Sequence, residues 1–150
     1  MGLPMAKNIL KSGFKLKAFN RSIEKAEPLK EFGAEISKSI SDVVKDSDFV
    51  ITMLTDDSAV DAITSSTDFL NNLKSGSTVI DMSSVKPTTA TKHGENLKSK
   101  NVNYLDAPVS GGTIGAEEAS LAIMVGGEQS VFDNSEKILK AMGNPTLVGP

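Results

Sequence analysis

Ser110, Gly111 and Gly112 are the residues whose types and spacing best suit chemistry. A hydroxyl followed by two glycines offers an anion a side-chain donor and main-chain N–H groups that can be closely approached. The triplet lies in residues 106–127, DAPVSGGTIGAEEASLAIMVGG. Tyr104 and Leu105 lead into it as a short apolar run, and Pro108 holds Ala107 extended and excludes helix there. A carboxylate or phosphate would suit such a segment, but the same residues also make an ordinary tight turn, and the triplet alone leaves both readings open. Ser110 lacks the histidine–carboxylate partnership that would make it a nucleophile.

The segment needs elements to position it, and the pattern upstream supplies them. Residues 15–19 (KLKAF) read as a short strand, broken by Asn20, Arg21 and Ser22. Ser22 is placed to cap a helix in which Ile23, Ala26, Leu29 and Phe32 recur at helical spacing up to Gly33, with Pro28 sitting awkwardly inside. The same unit returns at Ile36 with a helix over 40–45, and again as a strand over 48–54 with a helix over 58–70. Residues 78–81 form the next strand, Pro87 opens a helix running toward Lys100, and 103–106 read as a strand. Residues 121–125, a helix from Val131 to Met142 and a closing strand over 146–148 complete a repeating strand–helix order. This predicts an α/β fold with a doubly wound, largely parallel sheet.

In such a sheet ligands bind beyond the carboxyl ends of the strands. The residues there are Asn20-Arg21-Ser22, Thr55-Asp56-Asp57, residues 81–85 and residues 108–112. One cation, several hydroxyls and free main-chain donors suit a nucleotide with a small acid beside it better than they suit a metal. Asp56 and Asp57 resemble an acid–base pair, but neighbouring side chains diverge and helix capping explains them more simply. His93 is placed at the surface or boundary of its helix, and Met5, Met53, Met82, Met124 and Met142 are read as core fillers.

Composition narrows the chemistry further. The 150 residues suit one domain, and no apolar run approaches the length needed to cross a bilayer. There is no cysteine and only one histidine, so disulfides, thiol chemistry and histidine-built metal sites are not expected. A net charge of −3 with interspersed signs gives no footprint for nucleic acid. No secretory signal is legible at the start, which sets the cytoplasm as the expected location.

At this point five motifs in order resemble the β-hydroxyacid dehydrogenases, which include 3-hydroxyisobutyrate dehydrogenase, tartronate semialdehyde reductase and the glyoxylate/succinic semialdehyde reductases. Residues 1–8 (MGLPMAKN) resemble the tail of the opening dinucleotide fingerprint GLGxMGxxMAxNL. Asn20-Arg21-Ser22 is similar to NR(S/T), Met53-Leu54-Thr55-Asp56 to ML(P/S)D, residues 81–87 to D-x-S-(S/T)-x-x-P, and residues 106–127 to DAPVSGGxxGAxxGxLxxMVGG, with Ala119 in place of glycine.

The resemblance implies a Rossmann-like NAD(P)-binding domain lacking its first strand and two fingerprint glycines. A helical substrate domain carrying the catalytic lysine is expected after Pro150. It assigns no catalytic residue and no metal within these residues. It implies cofactor contacts at Gly2, Asn20, Arg21, Ser22, Met53, Leu54 and Ser84, and substrate-carboxylate contacts at Ser110, Gly111 and Gly112. Arg21 stands where an arginine suits the 2′-phosphate of NADP and an acid would suit NAD. The expected reaction is hydride transfer to or from a small 3-hydroxy acid or semialdehyde. The isolated residues are expected to turn over little, and the full-length protein to be a homo-oligomer. The alternative is a non-catalytic nucleotide-binding or assembly module. A missing first strand should leave its two neighbours unpaired, with poor stability or pairing to another chain.

Overall fold

The computed structural model describes residues 2–54 and 56–149. Along them run α1 (Gly2–Lys11), β1 (Lys17–Ala18), β2 (Glu35–Ile36), α2 (Ile40–Val44), β3 (Phe49–Thr52), α3 (Asp57–Thr64), α4 (Thr67–Leu70) and β4 (Thr78–Asp81). Then follow α5 (Pro87–Lys98), β5 (Asn103–Asp106), β6 (Val109–Ser110), α6 (Gly112–Glu118), β7 (Leu121–Gly126), α7 (Gln129–Lys140) and β8 (Gly143–Gly149).

β3, β4 and β5 are parallel and in register, with Val50 beside Val79 and Val79 beside Tyr104. β7 runs antiparallel to β5 and β6 and parallel to β8. Its reversal has a local cause: the connection from Ser110 to Leu121 is shorter than the dozen or so residues that a parallel crossover takes. β1 and β2 form a separate parallel pair. Among the described residues β3 therefore pairs only with β4, and β1 only with β2. The sheet is in two pieces, as the expectation of two unpaired neighbours requires.

Helices cover both faces of the larger sheet, and β4 is buried throughout because of it. On one face Ile80, Met82, Leu105, Leu121 and Ile123 pack with Met5 and Ile9 of α1 and Leu139 of α7. On the other, Val50, Val79 and Val102 pack with Val44, Phe69 and Leu97. Gly143 permits the tight β7–β8 contact, since a Cβ there would lie 2.2 Å from the Leu121 carbonyl oxygen.

Several local expectations are corrected. The helix expected over 23–32 is two 3₁₀ turns, Ile23–Lys25 and Glu27–Phe32. Pro28 removes an N–H from the stretch, which disfavours a continuous α-helix. The helix over 58–70 divides because the Ser66 hydroxyl donates to the Ile63 carbonyl (2.6 Å) and accepts the Phe69 N–H (3.3 Å), capping α4. The glycine-rich segment holds a helix, α6, rather than a turn alone. Met124 is 55% exposed, because alternation along β7 buries Leu121, Ile123 and Val125 and turns Ala122 and Met124 outward.

Candidate active site

Parallel β3, β4 and β5 end together, at Thr52, Asp81 and Asp106. The loops leaving these ends carry most of the candidate residues, and a single polar network ties them. Asp81 is fully buried; its Oδ1 accepts the Thr52 hydroxyl (2.8 Å) and the Ser83 N–H (3.0 Å). The buried Ser83 hydroxyl accepts the Leu54 N–H at 2.8 Å. The main chain after β3 is thus fastened to the loop after β4.

This fastening sets the exposure of the candidates. Met53 and Leu54 are half-buried beside it, and the Leu54 N–H is already committed. Ser83 turns inward, so Ser84 faces out. Thr55, the remaining member of this group, lies outside the described residues. Asp56 caps α3 by accepting the Ala59 N–H (2.9 Å), as expected. Asp57, expected to cap as well, is instead the first residue of α3, and its Oδ2 accepts the Lys86 N–H (3.0 Å) and the Thr89 hydroxyl (2.7 Å), joining α3 to the start of α5. These bonds, the Lys86 N–H first, lower its pKa.

Asn20, Arg21 and Ser22 follow β1. The Asn20 side-chain Oδ1 accepts the Ser22 N–H (2.9 Å), which shapes the loop and leaves Arg21 exposed. Arg21 makes no salt bridge among the described residues. Ser22 occupies the cap position of the first 3₁₀ turn, but its side chain makes no capping bond there, contrary to the helix-capping expectation. Gly2 is the exposed first residue of α1, and a Cβ on it would meet nothing within 4 Å. α1 is held by Asn8, whose side-chain amide donates to the Ala116 carbonyl at 2.7 Å. This bond links the first helix to α6.

Ser110 ends β6 and is exposed, Gly111 precedes α6 at φ 138°, and Gly112 opens the helix at φ 62°. Both glycines occupy backbone regions that side chains resist. A Cβ on Gly111 would also lie 3.3 Å from the Leu121 side chain. The first N–H groups of α6 have no partner within the helix, leaving donors beside an exposed hydroxyl.

Two features escaped the sequence reading. His93 is 1% exposed; Nδ1 bonds the Thr64 hydroxyl (2.8 Å), and Nε2 lies 2.9 Å from Asp61 Oδ1, outside the angular range of a hydrogen bond. Ala90, His93 and Leu97 share a helical stripe, and that spacing was the available signal. The second is the pairing of Asp81 with Asp106 across β4 and β5. Burial first, then the charge of Asp81, pushes the Asp106 pKa up to about 6. The order of strand residues marked both as strand ends, but only the register places them side by side.

A doubly wound α/β domain with polar loops at the ends of its parallel strands belongs to the class of dinucleotide-binding domains. Residues 1–149 match the NAD binding domain of 6-phosphogluconate dehydrogenase, and the chain belongs to that family. It is 41% identical over 152 residues to an uncharacterized oxidoreductase of Bacillus subtilis, covering 100% of this chain and 53% of the relative. It is 37% identical over 145 residues to the mitochondrial 3-hydroxyisobutyrate dehydrogenase of Drosophila melanogaster, covering 95% and 44%. The solved structure of Mycobacterium tuberculosis 3-hydroxyisobutyrate dehydrogenase with L-serine superposes with a TM-score of 0.94 at 32% identity, covering 99% of this chain and 51% of that one. The chain spans about half the length of these relatives.

Proposed function

We propose that this chain is the nucleotide-binding part of an NADP-dependent oxidoreductase that moves hydride to or from a small 3-hydroxy acid or semialdehyde. The observation that carries the reading is the network Thr52–Asp81–Ser83–Leu54, which holds two strand-end loops in one arrangement while leaving Ser84 exposed beside them. The residues present fit a dinucleotide: an unobstructed helix start at Gly2, an exposed cation at Arg21 and polar groups at Asn20, Ser22 and Ser84 suit phosphates, ribose and a carboxamide. When bound, the nicotinamide supplies the hydride donor or acceptor.

This chain's own residues bind and orient. Arg21 would meet the 2′-phosphate, the main chain at Met53 and Leu54 would pack along the cofactor, and Ser84 would contact it near the nicotinamide. Ser110, Gly111 and Gly112 hold the substrate carboxylate with one hydroxyl and main-chain donors, fixing the reacting carbon for transfer. None of these residues is assigned proton transfer, and the resemblance puts the lysine with that role outside them. Two-dimensional NMR with NADP and, separately, with a short 3-hydroxy acid tests the assignment. NADP should shift Gly2, Arg21, Leu54 and Ser84, and the acid should shift residues 110–112. Shifts confined to other parts of the fold would contradict it.

A further inference from the structure

Asp81 and Asp106 end neighbouring strands in register, about 4.8 Å apart in the ladder direction of a sheet. Asp81 Oδ1 is committed to Thr52 and Ser83, but its Oδ2 has no partner; Asp106 Oδ1, equally shut from solvent, has none either. Two buried oxygens without donors are costly, and two ionised carboxylates side by side more so. Neither group has a cation as salt-bridge partner among the described residues. The surroundings offer no neutralising charge: Tyr104, on the same strand as Asp106, has a buried hydroxyl that bonds neither carboxyl and is held neutral by burial and by the charges of Asp81 and Asp106, β7 sets Gly126 beside Asp106, and β3 contributes the neutral Thr52. From α5, Gly94 meets the Tyr104 ring while His93 is engaged by Thr64 and Asp61. One proton would convert the two orphan acceptors into a single O–H···O bond.

We infer that Asp81 and Asp106 hold one proton between them, and that this shared proton couples the loop carrying Ser83 and Ser84 to the loop carrying Ser110, Gly111 and Gly112. The two are positioning residues, and the functional half of the inference rests on the nucleotide and carboxylate reading above. With the proton present, Asp106 donates to Asp81 Oδ2, and Asp81 Oδ1 remains free to hold Thr52 and Ser83. When the proton leaves to water, the paired charges repel, the ends of β4 and β5 separate, and the Ser83–Leu54 bond loses its support. The elevated titration of Asp106, near 6, agrees with this arrangement.

The test has two readouts. In protein labelled with ¹³C at the aspartate carboxyls, the Asp106 carbon should titrate near pH 6 in the wild type and move toward the ordinary carboxylate range in Asp81→Asn. Titration of Asp106 in the ordinary range in the wild type would overturn the shared proton whether or not the variant folds, and a raised titration that does not move in Asp81→Asn would overturn it too, because burial alone would then account for the shift. For coupling, NADP dissociation constants are compared between wild type and Asp106→Asn, whose amide imitates the protonated acid. Comparison at each pH cancels the titration of the ligand's own phosphate. The wild type should match the variant near pH 5 and bind about tenfold more weakly at pH 8, the factor carried by one pKa unit. A ratio that does not change with pH would overturn the coupling. Absence of NADP binding by both proteins would overturn the nucleotide reading and the coupling with it, leaving the carbon titration to decide the proton.

Discussion

Ser83→Ala removes one oxygen from a fully buried position and separates the two parts of the strand-end network. Its hydroxyl accepts the Leu54 N–H at 2.8 Å, and the Leu54 N–H has no other partner among the described residues. Leaving a partly buried N–H unpaired costs about 1–2 kcal/mol. For a chain of 150 residues that corresponds to a fall in melting temperature of about 3–6 °C. Because the bond fixes the main chain at Leu54, NADP affinity should fall as well. Ser84→Ala is the matched control: Ser84 is exposed, so its stability effect should stay within about 0.5 kcal/mol while NADP affinity still drops. Urea denaturation and fluorescence titration of the two variants measure both quantities. Equal stability costs in the two variants, or a Ser83→Ala protein with unchanged stability and affinity, would refute the reasoning.

Further outcomes follow from the same contacts. Gly143→Ala should destabilise by about 3 kcal/mol or more or prevent folding, because its Cβ would sit 2.2 Å from the Leu121 carbonyl oxygen within a β ladder; thermal unfolding checks it. Asp57 has a lowered folded-state pKa, so its contribution to stability is present above its ordinary value of 3.8 and is lost as pH falls through the folded value. Denaturation at stepped pH should show that acid-side loss in the wild type and less of it in Asp57→Asn. Asp106 has the opposite sign: its raised pKa contributes stability that is full below 3.8 and lost as pH rises through about 6. Asp106→Asn should therefore gain stability relative to the wild type on moving from pH 5 to pH 8. The 150 residues alone should show little NADPH-dependent reduction of a semialdehyde; robust turnover followed by absorbance would contradict the assignment of proton transfer to a lysine outside them.

The strands were legible where apolar residues run together, as Val79-Ile80 within β4 and Phe49-Val50-Ile51 within β3. The candidate residues were legible through motif order, because the loop after each parallel strand is also the place where ligands reach the sheet. α6 was hidden because Gly112 and Gly115 depress helix propensity in a helix held by tertiary contact, including the Asn8–Ala116 bond. The 3₁₀ turns around Pro28 follow from a missing donor whose local effect the apolar spacing masks. His93 shows the limit of polarity as a guide: its partners Asp61 and Thr64 come from another helix, and only the packing of α3 on α5 makes burial affordable. The Asp81–Asp106 pair depends on strand register, which no local pattern specifies.

The proposed nucleotide site is built on these strand ends, and Arg21 is the residue proposed to select NADP by its 2′-phosphate. Calorimetric titration of the chain and of Arg21→Ala with NADP and NAD tests it directly. The wild type should bind NADP more tightly than NAD, and Arg21→Ala should weaken NADP binding while leaving NAD binding nearly unchanged. Tighter binding of NAD, equal loss for both nucleotides, or binding of neither would contradict it.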